Sequence, residues 1–326
     1  MRDFFTLVSI ENTKVWKRLS SKVMLIIMIV ILLAGNGISK YIETRQKDSN
    51  KITVSENWKE ETQKQLDQDK AQLTQMEKQT KSMGRVGTGT IKKRIAEAEY
   101  RINNNIKPEA EDNIWKRIAD FDMSGFIALL LMITCTALVA GEFSEGTMKM
   151  MVSRPYSRSE ILSAKLVATI LYGLVLLITS IVLNFIASGV LYGFNGIGAK
   201  EMLWTGSKIL YVPAVLKAMI IFGLGFLTVL TYVIIAFALS AAFRSRSLAT
   251  GFSLFLYLVA GNLLGLLAII FSWGKFLPFI LTNFSSYIRL GSTIEGTSLG
   301  FALASAAVYS ILFCFGGYFI FVKRDI

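Results

Sequence analysis

The sequence predicts an all-α integral membrane protein. Six transmembrane helices are expected, with an N-terminal amphipathic helix, an extracellular helical hairpin and a re-entrant segment before the last span. Three observations carry this. Of 326 residues, 53% are hydrophobic and 18% charged, and the mean hydropathy of +0.50 is too high for a soluble chain of this length. The apolar residues come in uninterrupted runs near the ~20 residues that cross ~30 Å of hydrocarbon. The basic residues collect beside those runs, the pattern that fixes topology in a bilayer.

Composition also excludes functions. The chain has no histidine, and both cysteines, Cys135 and Cys314, lie inside apolar runs. Zinc sites, Cys/His nucleophiles and histidine bases are therefore not expected, and no metal or catalytic residue is assigned. The net charge of +12 does not point to nucleic acid. Between residues 41 and 122, 16 Lys/Arg nearly balance 15 Asp/Glu, so the excess sits beside the spans.

In chain order, residues 1–22 mix Phe4, Phe5, Val8, Val15, Trp16 and Leu19 with Asp3, Glu11, Lys14, Lys17 and Arg18, as in a helix lying along a cytoplasmic membrane surface. The apolar run within 23–40 is the first span. A signal peptide is the competing reading, but no small-x-small cleavage site follows it. Residues 41–122 are charged and rich in Gln and Lys. Trp58, Leu66, Leu73 and Met76 form one helical stripe, while Ile91, Ile95, Ala98 and Ile102 repeat at coiled-coil spacing. The glycines of SMGRVGTGT between them suit a reversal, and their order fits neither dinucleotide nor P-loop phosphate motifs. Span two occupies 123–141, a cytoplasmic loop 142–165, and spans three to six fall within 166–326. Among the last, residues 272–297 are apolar but too short to cross, and carry Pro278 and Asn283, which suggests a re-entrant or interfacial helix pair.

With the N-terminus inside, inner flanks hold 13 basic residues and outer flanks 6, so both termini are expected in the cytoplasm. Polar residues inside the spans are sparse. Asn36, Asn184 and Asn262 stand out, because an amide in hydrocarbon seeks a partner, across helices or on a substrate. No Asp or Glu falls mid-span, which leaves proton coupling little to work with.

The inner loop EFSEGTMKMMVSRPYSRSEILSAK is the most informative stretch. Met148, Met151 and Val152 form an apolar patch that Arg154 and Pro155 end; Ser157 and Glu160 have the spacing of a capping box for the next helix. A short helix with an apolar face in a charged loop is a docking surface; an ordinary basic loop is the plainer alternative. Glu142, Gly146 and Thr147, then Ser153, Arg154 and Pro155, Ser157 and Arg158, and Ile161, Leu162 and Lys165 resemble the inner loop of ABC-2 type permeases. The six-span layout is similar over nearly the whole chain, and the large outer hairpin resembles Gram-positive members tied to peptide-antibiotic resistance or export.

The resemblance implies a cell-membrane permease subunit of an ATP-binding cassette transporter that exports a hydrophobic or amphipathic compound. It implies two copies of a separate ATPase subunit, which bind ATP and Mg, and a second permease chain, the same or related, in contact with membrane lipids. This chain itself is then no enzyme and holds no cofactor, in keeping with the absence of a G-x-x-x-x-G-K-[ST] motif. The implied ATPase-coupling residues are Glu142, Glu145, Gly146, Thr147, Met148, Met151, Arg154, Pro155 and Arg158. The rival reading is a membrane sensor whose outer hairpin binds a ligand. An intramembrane enzyme is weaker, lacking paired carboxylates, histidine or a metal cluster.

The basic-residue tally yields the first prediction. A cysteine at Thr88 is expected to react with a membrane-impermeant thiol reagent in intact cells, and protection there reverses the orientation.

Overall fold

The computed structural model describes residues 2–47, 57–83, 87–107, 113–146, 156–243 and 245–323. The protein is mostly helical and multi-pass, with six helices long and apolar enough to cross a membrane. In order, helix α1 (Arg2–Lys17) leads into α2 (Leu19–Lys47), and α3 (Trp58–Met83) and α4 (Gly89–Asn103) form the charged hairpin. A short α5 (Ile114–Asp120) precedes α6 (Ser124–Ser144), which the inner loop joins to α7 (Arg158–Tyr192). Strands β1 (Lys200–Trp204) and β2 (Ile209–Pro213) pair antiparallel before α8 (Ala214–Ala242). The fifth span runs through α9 (Arg246–Phe255), a π turn at Leu256–Ala260 and α10 (Gly261–Ile270); α11 (Phe284–Arg289) and α12 (Leu299–Lys323) complete the fold.

Helices α6 and α8 form the centre. Ile127, Leu131, Cys135 and Leu138 of α6 pack with Val229, Val233 and Phe237 of α8 and with Leu162, Ala168, Tyr172 and Leu176 of α7. Small residues set the closest approaches: a Cβ on Gly317 of α12 would lie 2.9 Å from the Ala238 backbone of α8. Such contacts matter in lipid, where helix association rests on van der Waals packing rather than on expulsion of water. Outward faces remain apolar, as at Ile26 and Val30 of α2, Leu263 and Leu266 of α10, and Ile311 and Phe315 of α12.

The hairpin carries the expected stripes. Trp58, Leu66 and Ile91 are buried, with Leu73, Met76, Ile95, Ala98 and Ile102 half-buried beside them. Arg94 pairs with Asp69 at 2.6 Å and Lys70 with Glu99 at 2.8 Å. Its glycines do something the expected reversal did not include. Gly87 N donates to Thr293 O at 2.9 Å, and a Cβ on Gly89 would lie 2.4 Å from Ser292 backbone atoms. The base of α4 is thus docked, backbone to backbone, on the segment before α12.

Two further features differ from expectation. The β1–β2 hairpin adds sheet to a chain read as all-α; its strands have five residues each and hide in what reads as a polar loop. The signal was the Gly206-Ser207 pair between KEMLW and KILYV, with Gly206 at φ +95°. Residues 272–297 form not a helix pair but a 3₁₀ turn at Gly274–Phe276 and the six-residue α11. This segment reaches beside Thr228, about 21 Å along α8 from its start. Irregular backbone at such depth needs protein partners. Thr228 supplies them, its Oγ1 donating to Thr282 O at 2.7 Å and accepting from Phe284 N at 3.4 Å.

Gly89→Ala separates two effects. Alanine is the better helix former by about 1 kcal/mol, yet its methyl would collide with Ser292. The variant is expected to be more readily cleaved within the hairpin by protease and to melt lower, by about 1–3 kcal/mol. Gly37→Ala, where a Cβ meets nothing within 4 Å, is expected to do neither.

Candidate functional site

The loop between α6 and α7 leaves the one helix and enters the other through defined caps. Glu145 closes α6 and Gly146, at φ +69°, follows in the left-handed conformation common just past helix ends. Ser157 opens α7: its Oγ accepts from Glu160 N at 3.2 Å, and its own N donates to Glu160 Oε2 at 2.8 Å, the capping box read from the sequence. Arg158 donates from Nη1 to Val322 O at 3.2 Å, tying the start of α7 to the end of α12. Thr147, Met148, Met151, Arg154 and Pro155 lie outside the described residues.

Among the described residues, four charges cluster immediately beneath the loop. Lys165 of α7, fully buried, lies 2.9 Å from Glu11 Oε2 of α1 and 2.7 Å from Glu142 Oε2 of α6. Lys14 closes the ring, 2.6 Å from Glu11 Oε1 and 3.1 Å from Glu142 Oε1. Glu142 stands in the last turn of α6, where the helix dipole disfavours a carboxylate, and the two ammonium groups offset that. Burial would lower the Lys14 pKa, but Glu11 and Glu142 outweigh it and hold the ammonium above the usual lysine range. The N-terminal helix is consequently not a float on a surface alone. It packs along α7, burying Leu7, Val8, Glu11 and Val15, with Trp16 edge-on to Tyr172 and the Tyr172 hydroxyl donating to Ser21 O at 2.7 Å.

The three singled-out amides divide. Asn36 and Asn184 find each other: Asn36 Nδ2 donates to Asn184 Oδ1 at 3.0 Å, and Ser188 Oγ donates to Asn36 Oδ1 at 3.1 Å. Asn184 Nδ2 also reaches Ile118 O and Phe121 O, both at 3.3 Å, pinning the loop between α5 and α6. Both are buried and fully engaged, which is interhelical bonding. Asn262 is exposed, among the described residues bonds only Leu258 O of the π turn just before it, and lines a cavity of about 480 Å³.

That cavity lies between α6, α8, the π turn and the irregular segment before α11. Its walls alternate polar and apolar groups: Asp122, Thr228, Tyr232, Tyr257, Asn262 and Thr282, with Leu258, Phe279 and Ile280. Asp122 accepts from Ser124 N and Oγ at 2.9 and 2.8 Å. Tyr257, within the π turn, donates to Gly125 O at 2.7 Å and meets the Tyr232 ring edge-on. Phe279 sits at φ +75°, a strained conformation for a bulky residue. A π turn and a strained residue on one cavity mark a place where regular packing has been given up for something else.

Sequence reasoning singled out Glu142 and noted Lys165, but not Glu11 as their partner; the Glu11-x-x-Lys14 spacing was the available signal. Asp122, Tyr232 and Tyr257 were missed, since nothing local distinguishes a cavity tyrosine from a packed one.

Residues 88–326 match the family described as a protein of unknown function (DUF2705), and the chain belongs to that family. Over 319 residues, 97% of both chains, it is also 27% identical to YhcI of Bacillus subtilis (strain 168), described as an uncharacterized protein.

Removing one member of the charge cluster leaves a buried excess charge, which costs about 3–5 kcal/mol when a buried pair is broken. Lys165→Met is therefore expected to lower the melting temperature in detergent sharply. The double variant Lys165→Met/Glu11→Gln keeps a neutral Lys14–Glu142 pair and is expected to recover most of the loss. Equal melting of wild type and Lys165→Met would show that the cluster does not hold α1.

Proposed function

We propose that this DUF2705 member is the permease subunit of an ATP-driven transporter of the ABC-2 kind, exporting a hydrophobic or amphipathic compound such as a peptide antibiotic or lipid-like molecule. The observation that carries the reading is the buried Glu11–Lys165–Glu142–Lys14 cluster at the root of the inner loop. A loop that receives force from an ATPase must pass it to the spans without slack. Here the helices on either side of the loop, and the N-terminal helix beside them, are joined by four ion pairs in which Lys165, Glu11 and Glu142 are buried and Lys14 is half-buried, so a push on the loop would displace α1, α6 and α7 together.

In this reading ATP and Mg belong to a partner ATPase present in two copies, and a second permease chain, the same or related, packs on the apolar outer faces. Both termini and the inner loop are cytoplasmic, and the hairpin is outside. The cavity beside Asn262, with hydroxyls set in apolar walls, suits an amphipathic cargo.

A sensor reading is favoured by one observation, the backbone docking of the hairpin on the segment before α12, through which a ligand bound outside could move a span. A Walker-A ATPase in the neighbouring reading frame supports the transporter; a kinase or regulator without one supports the sensor.

The docking element is the loop from Glu142 to Arg158. Loss of a well-packed apolar anchor at an interface costs about 2 kcal/mol or more, so Met151→Asp is expected to abolish co-purification of the ATPase and substrate-stimulated ATP hydrolysis at normal membrane levels. Arg154→Ala is expected to be milder, as for a rim charge. If Met151→Asp assembles and couples like wild type, the docking site is elsewhere.

A further inference from the structure

Five elements converge on a second cavity, about 230 Å³, at the opposite end of the bundle from the charge cluster: α4, α5, the β1–β2 hairpin, the first turn of α8, and α11. Its lining includes Lys93, Arg101, Lys217 and Arg289 against Glu97, Asp120 and Glu201. Each of the three carboxylates is already shared with a cation of the lining. Glu201 holds Lys217 at 2.7 Å while accepting from Asn113 at 3.0 Å; Asp120 stands 3.8 Å from Arg289, and Glu97 3.6 Å from Lys93. Lys93 is turned to the Arg289 carbonyl at 2.5 Å. Arg101, from the same face of α4, has no carboxylate partner among the described residues. Burial, reinforced by the Lys217 charge and partly offset by Glu97, holds the Lys93 ammonium below the usual lysine range. Cations thus face one another across a space too small for a drug-sized molecule.

We propose that this cavity is a binding site for a small oxyanion group, a phosphate or phosphodiester, gripped by Lys93, Arg101 and Lys217. Cations crowded into a partly buried cavity repel one another, and an oxyanion among them converts that repulsion into charge-assisted hydrogen bonds. Two sources have this chemistry, free phosphate and the headgroup of an anionic lipid. Lys217 lies in the first turn of a span, at headgroup level. Exposed Phe194, Ile197 and Leu210 at the same end offer apolar surface to acyl chains.

The test uses the purified full chain and reads thermal stability against two probes at matched ionic strength. These are inorganic phosphate against chloride, and phosphatidylglycerol against phosphatidylcholine in nanodiscs. Stabilisation by either probe is expected, by both if the headgroup phosphate suffices and by phosphatidylglycerol alone if the lipid tail is needed. Arg101→Gln is expected to weaken the response about tenfold, and Lys64→Gln, on the exposed face of α3, to leave it unchanged. No response to either probe in the wild type overturns the proposal, as does an equal response in Arg101→Gln and Lys93→Gln.

Discussion

A lysine with no exposed surface, in a chain built to live in lipid, sets the terms for everything around it. Lys165 is met there by Glu11 and Glu142, at 2.9 and 2.7 Å. Those carboxylates in turn require a second cation, which Lys14 provides. Desolvating four charges is expensive, and the attraction among them offsets that cost only when all four are in register. The arrangement is therefore less a source of stability than of specificity: α1, α6 and α7 have one mutual placement at which the charges balance, and sliding any helix by a turn would strand one of them. Fixing α1 fixes the start of α2, because Lys17 and Leu19 are separated by one residue.

Helix α7 is fastened again farther along, this time to α2. Asn184 lies 19 residues beyond Lys165 on α7, about 28 Å of helix, and there it meets Asn36 of α2. Charge at one end and amides at the other make α1, α2 and α7 a single body. Across the molecule, α9, the π turn and α10 are secured differently. Most of their surface faces outward, and among the described residues their polar ties to other helices are few: Thr250 with Thr136 at 2.7 Å, Tyr257 with Gly125 O at 2.7 Å and Arg246 N with Ser144 Oγ at 3.1 Å. Contrast in fastening is what distinguishes a frame from a part able to move against it.

The spans were legible because a bilayer imposes a length on apolar runs, and length survives without knowledge of contacts. The hairpin stripes were legible for a similar reason, a period of three and four that only a helix presents on one face. What escaped the sequence depends on distance along the chain. Glu11 and Lys165 are 154 residues apart, Asn36 and Asn184 148, and no local pattern announces which amide or charge will meet which. Gly89 read as turn punctuation when its lack of a side chain is instead used for contact with Ser292. The β1–β2 hairpin was overlooked because five-residue strands beside a membrane look like a polar interruption.

Placement of the two cavities follows from these constraints. A regular bundle of apolar helices has no reason to leave 480 Å³ lined by hydroxyls. It does so here because the fifth span breaks step in a π turn and the segment before α11 refuses to be a helix, with Phe279 at φ +75°. Breaking regular structure in lipid frees backbone groups that must then be answered by side chains. Thr228 and Thr282 are those answers, with the Tyr232 hydroxyl bonded in turn to that of Thr282, which is why the cavity is polar at a depth where the neighbouring surface is not. The irregular segment is held from the other side by the turn of the α3–α4 hairpin, through Gly87 and Thr293. Shape of the cavity and posture of the hairpin are consequently linked by one stretch of backbone, so that whatever settles in the basic pocket between α4 and α11 bears directly on the walls of the cavity below.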